Sequence, residues 1–280
     1  MAKGLALTIG LNAVDPKHYQ GWSGKLNACE ADARDMAEIA RSRKFKVQTL
    51  LTRRATRSAV LSGIDRACKA LRSGDIFLLT YSGHGGQVPD RNYDEPDAQD
   101  ETWCLFNGEL IDDEIYKALG RFKPGVRVLV FSDSCHSGTV TKAMFYATRG
   151  AAPAAAAAGT PGVTLRYRNM PREIALRTYR AHRAMYDKLQ DAVKGNPAAA
   201  VRASVILVSG CQDNQLSQDG DFNGLFTANL LRVWKEGHFT GSYRKFYTAI
   251  VAGMPPDQTP NFFTVGATSR AFQGQRPFTV

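Results

Sequence analysis

Ile76-Phe77-Leu78-Leu79-Thr80-Tyr81-Ser82-Gly83-His84-Gly85-Gly86 decides the fold class of this 280-residue chain. Asp75 to Tyr81 is a short, nearly continuous apolar run, the pattern of a strand buried on both faces of a parallel sheet. It gives way to small residues around His84, where backbone amides come free. Val126 to Phe131 repeats the device and runs into Ser132-Asp133-Ser134-Cys135-His136-Ser137-Gly138. An imidazole and a thiol thus stand where two strands end, the edge at which an open α/β sheet carries its chemistry.

Outward from these strands, the elements alternate. Leu5 to Asn12 reads as the first strand, and a helix starts near Asn27, whose side chain caps it while Glu30 completes a capping box. Met36, Ile39 and Ala40 form its buried stripe. Strand Lys46 to Leu51 follows, then a helix over Arg57 to Leu71 with Leu61, Ile64, Cys68 and Leu71 on one face. Pro89 to Glu101 reads as a polar, acidic loop, Asp113 to Leu119 as a short helix and Arg127 to Phe131 as the cysteine strand. The Ala, Gly and Pro-rich stretch from Ala151 to Gly162 reads as a flexible linker. Arg172 to Val193 reads as one helix, with His182 on its face. Ser204 to Ser209 returns to the sheet, and Gly224 to Trp234 and Ser242 to Ala252 are helices. The order predicts an α/β fold with a parallel sheet. It divides into residues 1–145, a linker and basic helical insertion over 146–203, and 204–280.

Taken singly, Cys135 reads as a buried structural thiol and His84 as a turn histidine, since free cysteine is among the most buried residue types. Their joint setting favours chemistry. A thiolate is a competent nucleophile, and a nearby histidine favours that state and protonates a leaving amine. Glycines around His84 let a substrate or oxyanion approach the backbone. The pair reads as a cysteine hydrolase.

Composition excludes several other classes. The net charge is +10, but eleven Lys or Arg between Lys142 and Arg202 face three carboxylates, and ten carboxylates between Gly85 and Glu114 face Arg91 alone. Attraction between these segments, or between the acidic one and a cationic substrate, is the expectation. No basic stretch carries a groove-reading or stacking motif, which argues against nucleic acid. No apolar run reaches the roughly 18 residues of a membrane span. The five cysteines (29, 68, 104, 135 and 211) are scattered, as free thiols of a reducing compartment are. A soluble cytoplasmic protein is expected.

With those residues in hand, the chain resembles the caspase-like cysteine peptidases, in their metacaspase and bacterial orthocaspase branch. Tyr81-Ser82-Gly83-His84-Gly85 matches the family's histidine motif and Asp133-Ser134-Cys135-His136-Ser137-Gly138 its nucleophile motif, 51 positions from His84 to Cys135. The animal-caspase signature around the nucleophile is absent. Leu5 to Asn12, Ala28-Cys29-Glu30-Ala31-Asp32-Ala33, Val208-Ser209-Gly210-Cys211 and Gly224-Leu225-Phe226-Thr227 extend the similarity over almost the whole chain.

The resemblance implies a caspase-like three-layer sandwich with a central, mostly parallel six-stranded sheet. It implies a His84/Cys135 dyad, and an oxyanion hole from the amides of Cys135 and Gly85. Cleavage after Arg or Lys follows from Asp32 and Asp133, with Cys29 and Ser82 beside them. Outside the resemblance, Asp133 reads as a loop cap and Asp32 as a first-turn helix carboxylate. Self-processing is expected in the linker, after Lys142, Arg149, Arg166 or Arg168. Asp100, Asp112 and Asp113 match part of a calcium set, but residues 139–145 lack the further acidic ligand, so no cofactor is expected to be required. The expected partners are proteins or peptides bearing basic residues; oligomeric state stays open. The rivals are a catalytically silent caspase-like scaffold and a flavodoxin-like ligand-binding domain. The latter lacks a Gly-rich phosphate loop, since Leu11-Asn12-Ala13-Val14-Asp15-Pro16 follows strand one.

Overall fold

In the computed structural model the chain runs β1 (Gly4–Gly10), α1 (Cys29–Ser42), β2 (Phe45–Leu51), α2 (Arg57–Ala70), β3 (Ile76–Ser82), β4 (Gly85–Pro89), β5 (Gln99–Leu105), β6 (Gly108–Ile111), α3 (Asp112–Leu119) and β7 (Arg127–Asp133). It continues through β8 (Arg166–Tyr167), α4 (Arg172–Ala181), α5 (Arg183–Asp191), β9 (Ser204–Ser209), β10 (Gln218–Asp219), α6 (Leu225–Trp234), α7 (Tyr243–Val251), β11 (Asn261–Gly266) and α8 (Arg270–Gly274). The structure describes residues 2–91, 98–134, 166–193, 195–211, 218–220, 222–256, 258–267 and 269–280.

Six strands form one sheet in the order β11-β9-β7-β3-β1-β2, parallel throughout except for the edge strand β11. Alternation along each strand sets the layers. Leu7, Ile9, Phe77, Leu79, Val128 and Val130 point to one face and pack with Val60 and Ile64 of α2 and Ile115 and Leu119 of α3. Ala6, Leu78, Leu129, Phe131, Ile206 and Val208 point to the other, against Met36 and Ile39 of α1, Phe226 and Leu230 of α6 and Phe246 and Ile250 of α7. Each fully buried Val, Leu, Ile, Phe or Met side chain among them contributes about 1.5–3 kcal/mol. This is the expected three-layer α/β sandwich.

The register brings the two motifs together. β3 and β7 are adjacent and parallel, with Tyr81 opposite Ser132 and Ser82 opposite Asp133. Their carboxyl ends therefore emerge side by side.

Several sequence expectations need correction. α1 begins at Cys29 and has no side-chain cap from its own N-terminus. Instead Asn12 Oδ1 accepts the Glu30 N–H at 3.0 Å, and Glu30 accepts the Thr52 hydroxyl at 2.5 Å. Tertiary partners do the capping, so the local box is not formed. The expected acidic loop over 89–101 begins in β4 and ends in β5, strands of an antiparallel β4-β5-β6 sheet. The expected helix over 172–193 is broken at His182, whose φ of −118° and ψ of 22° are not helical. The His182 ring stacks on His18 at 4.0 Å, and this contact with a distant loop is gained by the break. The two oppositely charged segments do meet, but through their minority charges: Arg91 pairs with Asp187 at 3.5 Å and Asp191 at 3.1 Å.

Candidate active site

His84 is buried and held by several neighbours. Its carbonyl accepts the Tyr81 hydroxyl at 2.7 Å and the Cys104 N–H at 2.9 Å. Tyr81 stacks on Trp103 at 4.5 Å, so the turn is braced by the β5 sheet. The ring packs on Trp22 at 4.7 Å, and its Nε2 lies 3.0 Å from the Gly24 carbonyl oxygen. Gly24 has φ +52°, and a Cβ there would come within 3.0 Å of His84 Cδ2, so only glycine lets that carbonyl reach the ring unstrained. His84 Nδ1 is buried with no hydrogen-bond partner among the described residues. Burial first, and the Arg168 charge among the further causes, lower the imidazole pKa to about 4, so it is neutral at pH 7.

Two of the glycines flanking His84 also make room for close packing. A Cβ on Gly83 would meet the Tyr81 hydroxyl at 2.6 Å, and one on Gly86 would meet Met170 Cε at 2.7 Å. Both serve packing of the chain on itself. Gly85 donates its N–H to the Arg168 carbonyl at 2.9 Å.

Beside the histidine lies a closed acidic pocket. Asp32 on α1, Ser82 and Asp133 at the strand ends and Cys29 behind them are all buried, and the structure brings these four together. Ser82 donates to Asp32 Oδ2 at 2.7 Å. Gly224 N–H donates to Asp32 Oδ1 at 3.0 Å and Asn223 Nδ2 at 2.9 Å. Thr227 at the start of α6 donates its hydroxyl to Asp133 Oδ2 at 2.7 Å. Burial pushes the Cys29 thiol far up, so it is a neutral wall of the pocket. Burial also raises the Asp32 carboxyl against the pull of Arg168.

The occupant of this pocket is Arg168, with no exposed surface. Its Nη2 lies 2.7 Å from Asp32 and 3.0 Å from Asp219, and its Nη1 lies 2.8 Å from Asp133 and 2.9 Å from Ser82 Oγ. Burial opposes its charge, but Asp133, Asp32 and Asp219 outweigh it and hold the guanidinium ionised. Asp219 was not foreseen from sequence. No local pattern marks it, because only the pairing of β10 with β8 carries it to the pocket. Trp22, Gly24, Asn223 and Thr227 were missed as site residues because only contacts between distant segments bring them there.

Cys135, Lys142 and Arg149 lie outside the described residues; Arg166 is in β8. Ser134, the last residue described before Cys135, is buried, and its carbonyl accepts the Cys211 thiol at 3.3 Å. Burial, then Glu101, Asp100 and Asp113, push the Asp112 carboxyl well above its usual range. Yet among the described residues no group of three or more His, Cys, Asp or Glu is arranged to hold a metal ion.

Comparison with known proteins agrees with this architecture. The caspase-domain family model matches residues 3–272. Metacaspase-1A of Aspergillus fumigatus is 30% identical over 254 residues, 80% of this chain and 58% of that protein. Metacaspase-1 of Kluyveromyces lactis is 28% identical over 255 residues, 80% of this chain and 56% of that protein. The chain thus spans under two thirds of the length of these relatives. Among solved structures, protein GSU0716 from Geobacter sulfurreducens is 62% identical with a TM-score of 0.89, covering 99% of both chains. Caspase-1 from Spodoptera frugiperda shares the fold, with a TM-score of 0.55 at 10% identity over 95% of this chain and 88% of that one. The match over residues 3–272 and the shared sheet place this chain in the caspase-domain family, with metacaspases among its relatives.

Proposed function

We propose that the protein is a cysteine endopeptidase that cuts after arginine or lysine. The observation that carries this reading is the guanidinium bound by three buried carboxylates beside His84. Moving a cation out of water is costly unless anions replace its hydration, and a planar guanidinium engages carboxylates through several donors at once. A pocket of this charge rejects the acidic side chain that an animal caspase accepts.

In the proposed reaction the Cys135 thiolate attacks the scissile carbonyl, and the N–H groups of Gly85 and Cys135 stabilise the oxyanion. His84 delivers a proton to the departing amine, and water then releases the acyl group. The Gly24 carbonyl favours the Nε2–H tautomer and leaves Nδ1 to exchange the proton. Self-cleavage after a basic residue among Lys142, Arg149, Arg166 and Arg168 is part of this proposal. So is action on proteins and peptides rather than nucleic acid. None of the described helices is long and apolar enough to cross a membrane. Calcium at Asp100, Asp112 and Asp113 is a proposal resting on the resemblance alone; activity lost with a chelator and restored by calcium would support it.

The test is one assay of arginyl, lysyl and aspartyl fluorogenic peptides with the wild type, the Arg168→Gln form and the Cys135→Ala form. Turnover of basic peptides that vanishes in Cys135→Ala is expected. Its absence in both the wild type and Arg168→Gln leaves the silent scaffold as the reading.

A further inference from the structure

The hydrogen-bond ladder between β3 and β7 loosens where the two motifs begin. It pairs the strands as far as Ser82 and Asp133, and the next contact, the Gly83 N–H on the Asp133 carbonyl, is 3.4 Å long, beyond the usual range. Past that point side chains join the His84 turn to Ser134, which directly precedes Cys135. Trp103 of β5 reaches both. On the histidine side its backbone stands opposite Gly85 in the β4-β5 register, and its ring stacks on Tyr81, whose hydroxyl donates to the His84 carbonyl. On the nucleophile side its indole N–H donates to Ser132 Oγ at 3.1 Å, and Ser132 Oγ lies 2.9 Å from Ser134 Oγ. The Ser134 carbonyl is fixed as well, since it accepts the Cys211 thiol at 3.3 Å while the Cys211 carbonyl accepts the Ser209 hydroxyl at 2.9 Å.

A buried tryptophan needs an acceptor for its N–H, so one such bond would fit a purely structural indole. The acceptors point further. Ser132 continues the face of β7 that carries Val128 and Val130, where an aliphatic side chain would pack, and Ser134 is fully buried two positions on. Hydroxyls buried among apolar groups are costly unless they are bonded. Bonded to each other and to the indole, these two supply what packing does not, a directional connection that ends at the residue before the nucleophile. Trp103 and Tyr81 are 4% and 2% exposed, so the connection is shielded from water.

We propose, resting on the peptidase reading, that Trp103 is a positioning residue for the reaction: it spans the two strand ends and fixes the His84 turn against the strand end that leads to the nucleophile, without touching substrate. Proton delivery depends on that placement, and a misplacement of about 1 Å can cost on the order of a hundredfold in rate. The acidic pocket rests on other partners, with Asp32 held by Asn223 and Gly224 and Asp133 by Thr227. Losing the link therefore lowers turnover and leaves binding of the basic side chain in place.

The experiment measures kcat and KM for an arginyl-aminocoumarin peptide, together with thermal melting, on full-length variants made in the more active of the wild type and the Arg168→Gln form. Trp103→Phe keeps a ring against Tyr81 and drops the N–H. Ser132→Ala removes the acceptor with the indole in place, so the test survives a Trp103→Phe form that fails to fold. Each is expected to lower kcat about tenfold or more with KM within about twofold. The double variant is expected to lie within about twofold of the worse single one, because both cut the same link. Phe122→Leu, in the same core against Phe77, is the control, expected to lower the melting temperature with kcat unchanged. Effects that multiply in the double variant, a rise in KM at constant kcat, or an equal loss of kcat in Phe122→Leu overturn the positioning role while the peptidase stands. Absence of arginyl turnover in both the wild type and Arg168→Gln removes the peptidase reading and this role with it.

Discussion

Asp219 Oδ2 accepts the backbone N–H of Asn27 at 2.7 Å, at the start of α1. Its other oxygen holds Arg168 at 3.0 Å. One carboxylate thus ties the entry of a core helix to the wall of the pocket, two tasks that substitution can separate. Asp219→Asn keeps an acceptor for Asn27 but loses the charge. In the Arg168→Gln background, KM for an arginyl peptide is expected to rise about tenfold, roughly 1.4 kcal/mol, with the melting temperature nearly unchanged. Asp219→Ala should also lose about 1 kcal/mol of stability, the usual cost of a lost helix cap.

Asp133 faces Arg168 Nη1 at 2.8 Å and anchors the start of α6 through Thr227. Removing one partner of a buried, hydrogen-bonded charge pair costs about 2–5 kcal/mol. Asp133→Ala should therefore lower kcat/KM for arginyl peptides by ~30-fold or more. Near-normal turnover by that variant would remove Asp133 from the pocket.

Gly24→Ala adds a methyl within 3.0 Å of His84 Cδ2, at a φ of +52°. The ring must tilt or the Gly24 carbonyl must withdraw, so proton delivery suffers while the carboxylates stay in place. A fall in kcat of about tenfold or more, with KM within about twofold, is expected. The reverse split, KM rising with kcat unchanged, would place Gly24 with substrate binding instead.

Glu109 offers a test of stability against pH. It is fully buried, and burial raises its pKa from 4.5 to about 7 against the pull of Thr102, Tyr186 and Arg57. Between those values the folded chain holds a proton that the unfolded chain has lost, so stability falls as pH rises through this window and levels off above it. The full effect is on the order of 3 kcal/mol. Glu109→Gln should remove this slope in chemical denaturation between pH 4.5 and 7, with the wild type losing more stability than the variant as pH rises.

What could be read before folding was whatever is written locally. Strands such as Ile76–Ser82 and Arg127–Asp133 are apolar over consecutive residues, and helices such as Arg57–Ala70 carry a stripe at helical spacing, so the α/β class and the two motif-bearing strand ends were legible. Elements whose identity depends on a partner were not. β8 and β10 are two residues each and exist only because they pair with one another. The α1 cap comes from Asn12, and the helix break at His182 accompanies a ring contact with His18, partners outside either helix.

The amino-acid order by itself determined that an imidazole and a thiol each follow a strand of an α/β sheet, because hydrophobic periodicity and the placement of small polar residues act within a few positions. Only the tertiary structure decided that Arg168 lies between Asp32, Asp133 and Asp219, 136, 35 and 51 residues away along the chain. A buried cation is tolerated only where anions converge on it, and that convergence is a property of the packed sheet and helices, not of any one stretch of sequence.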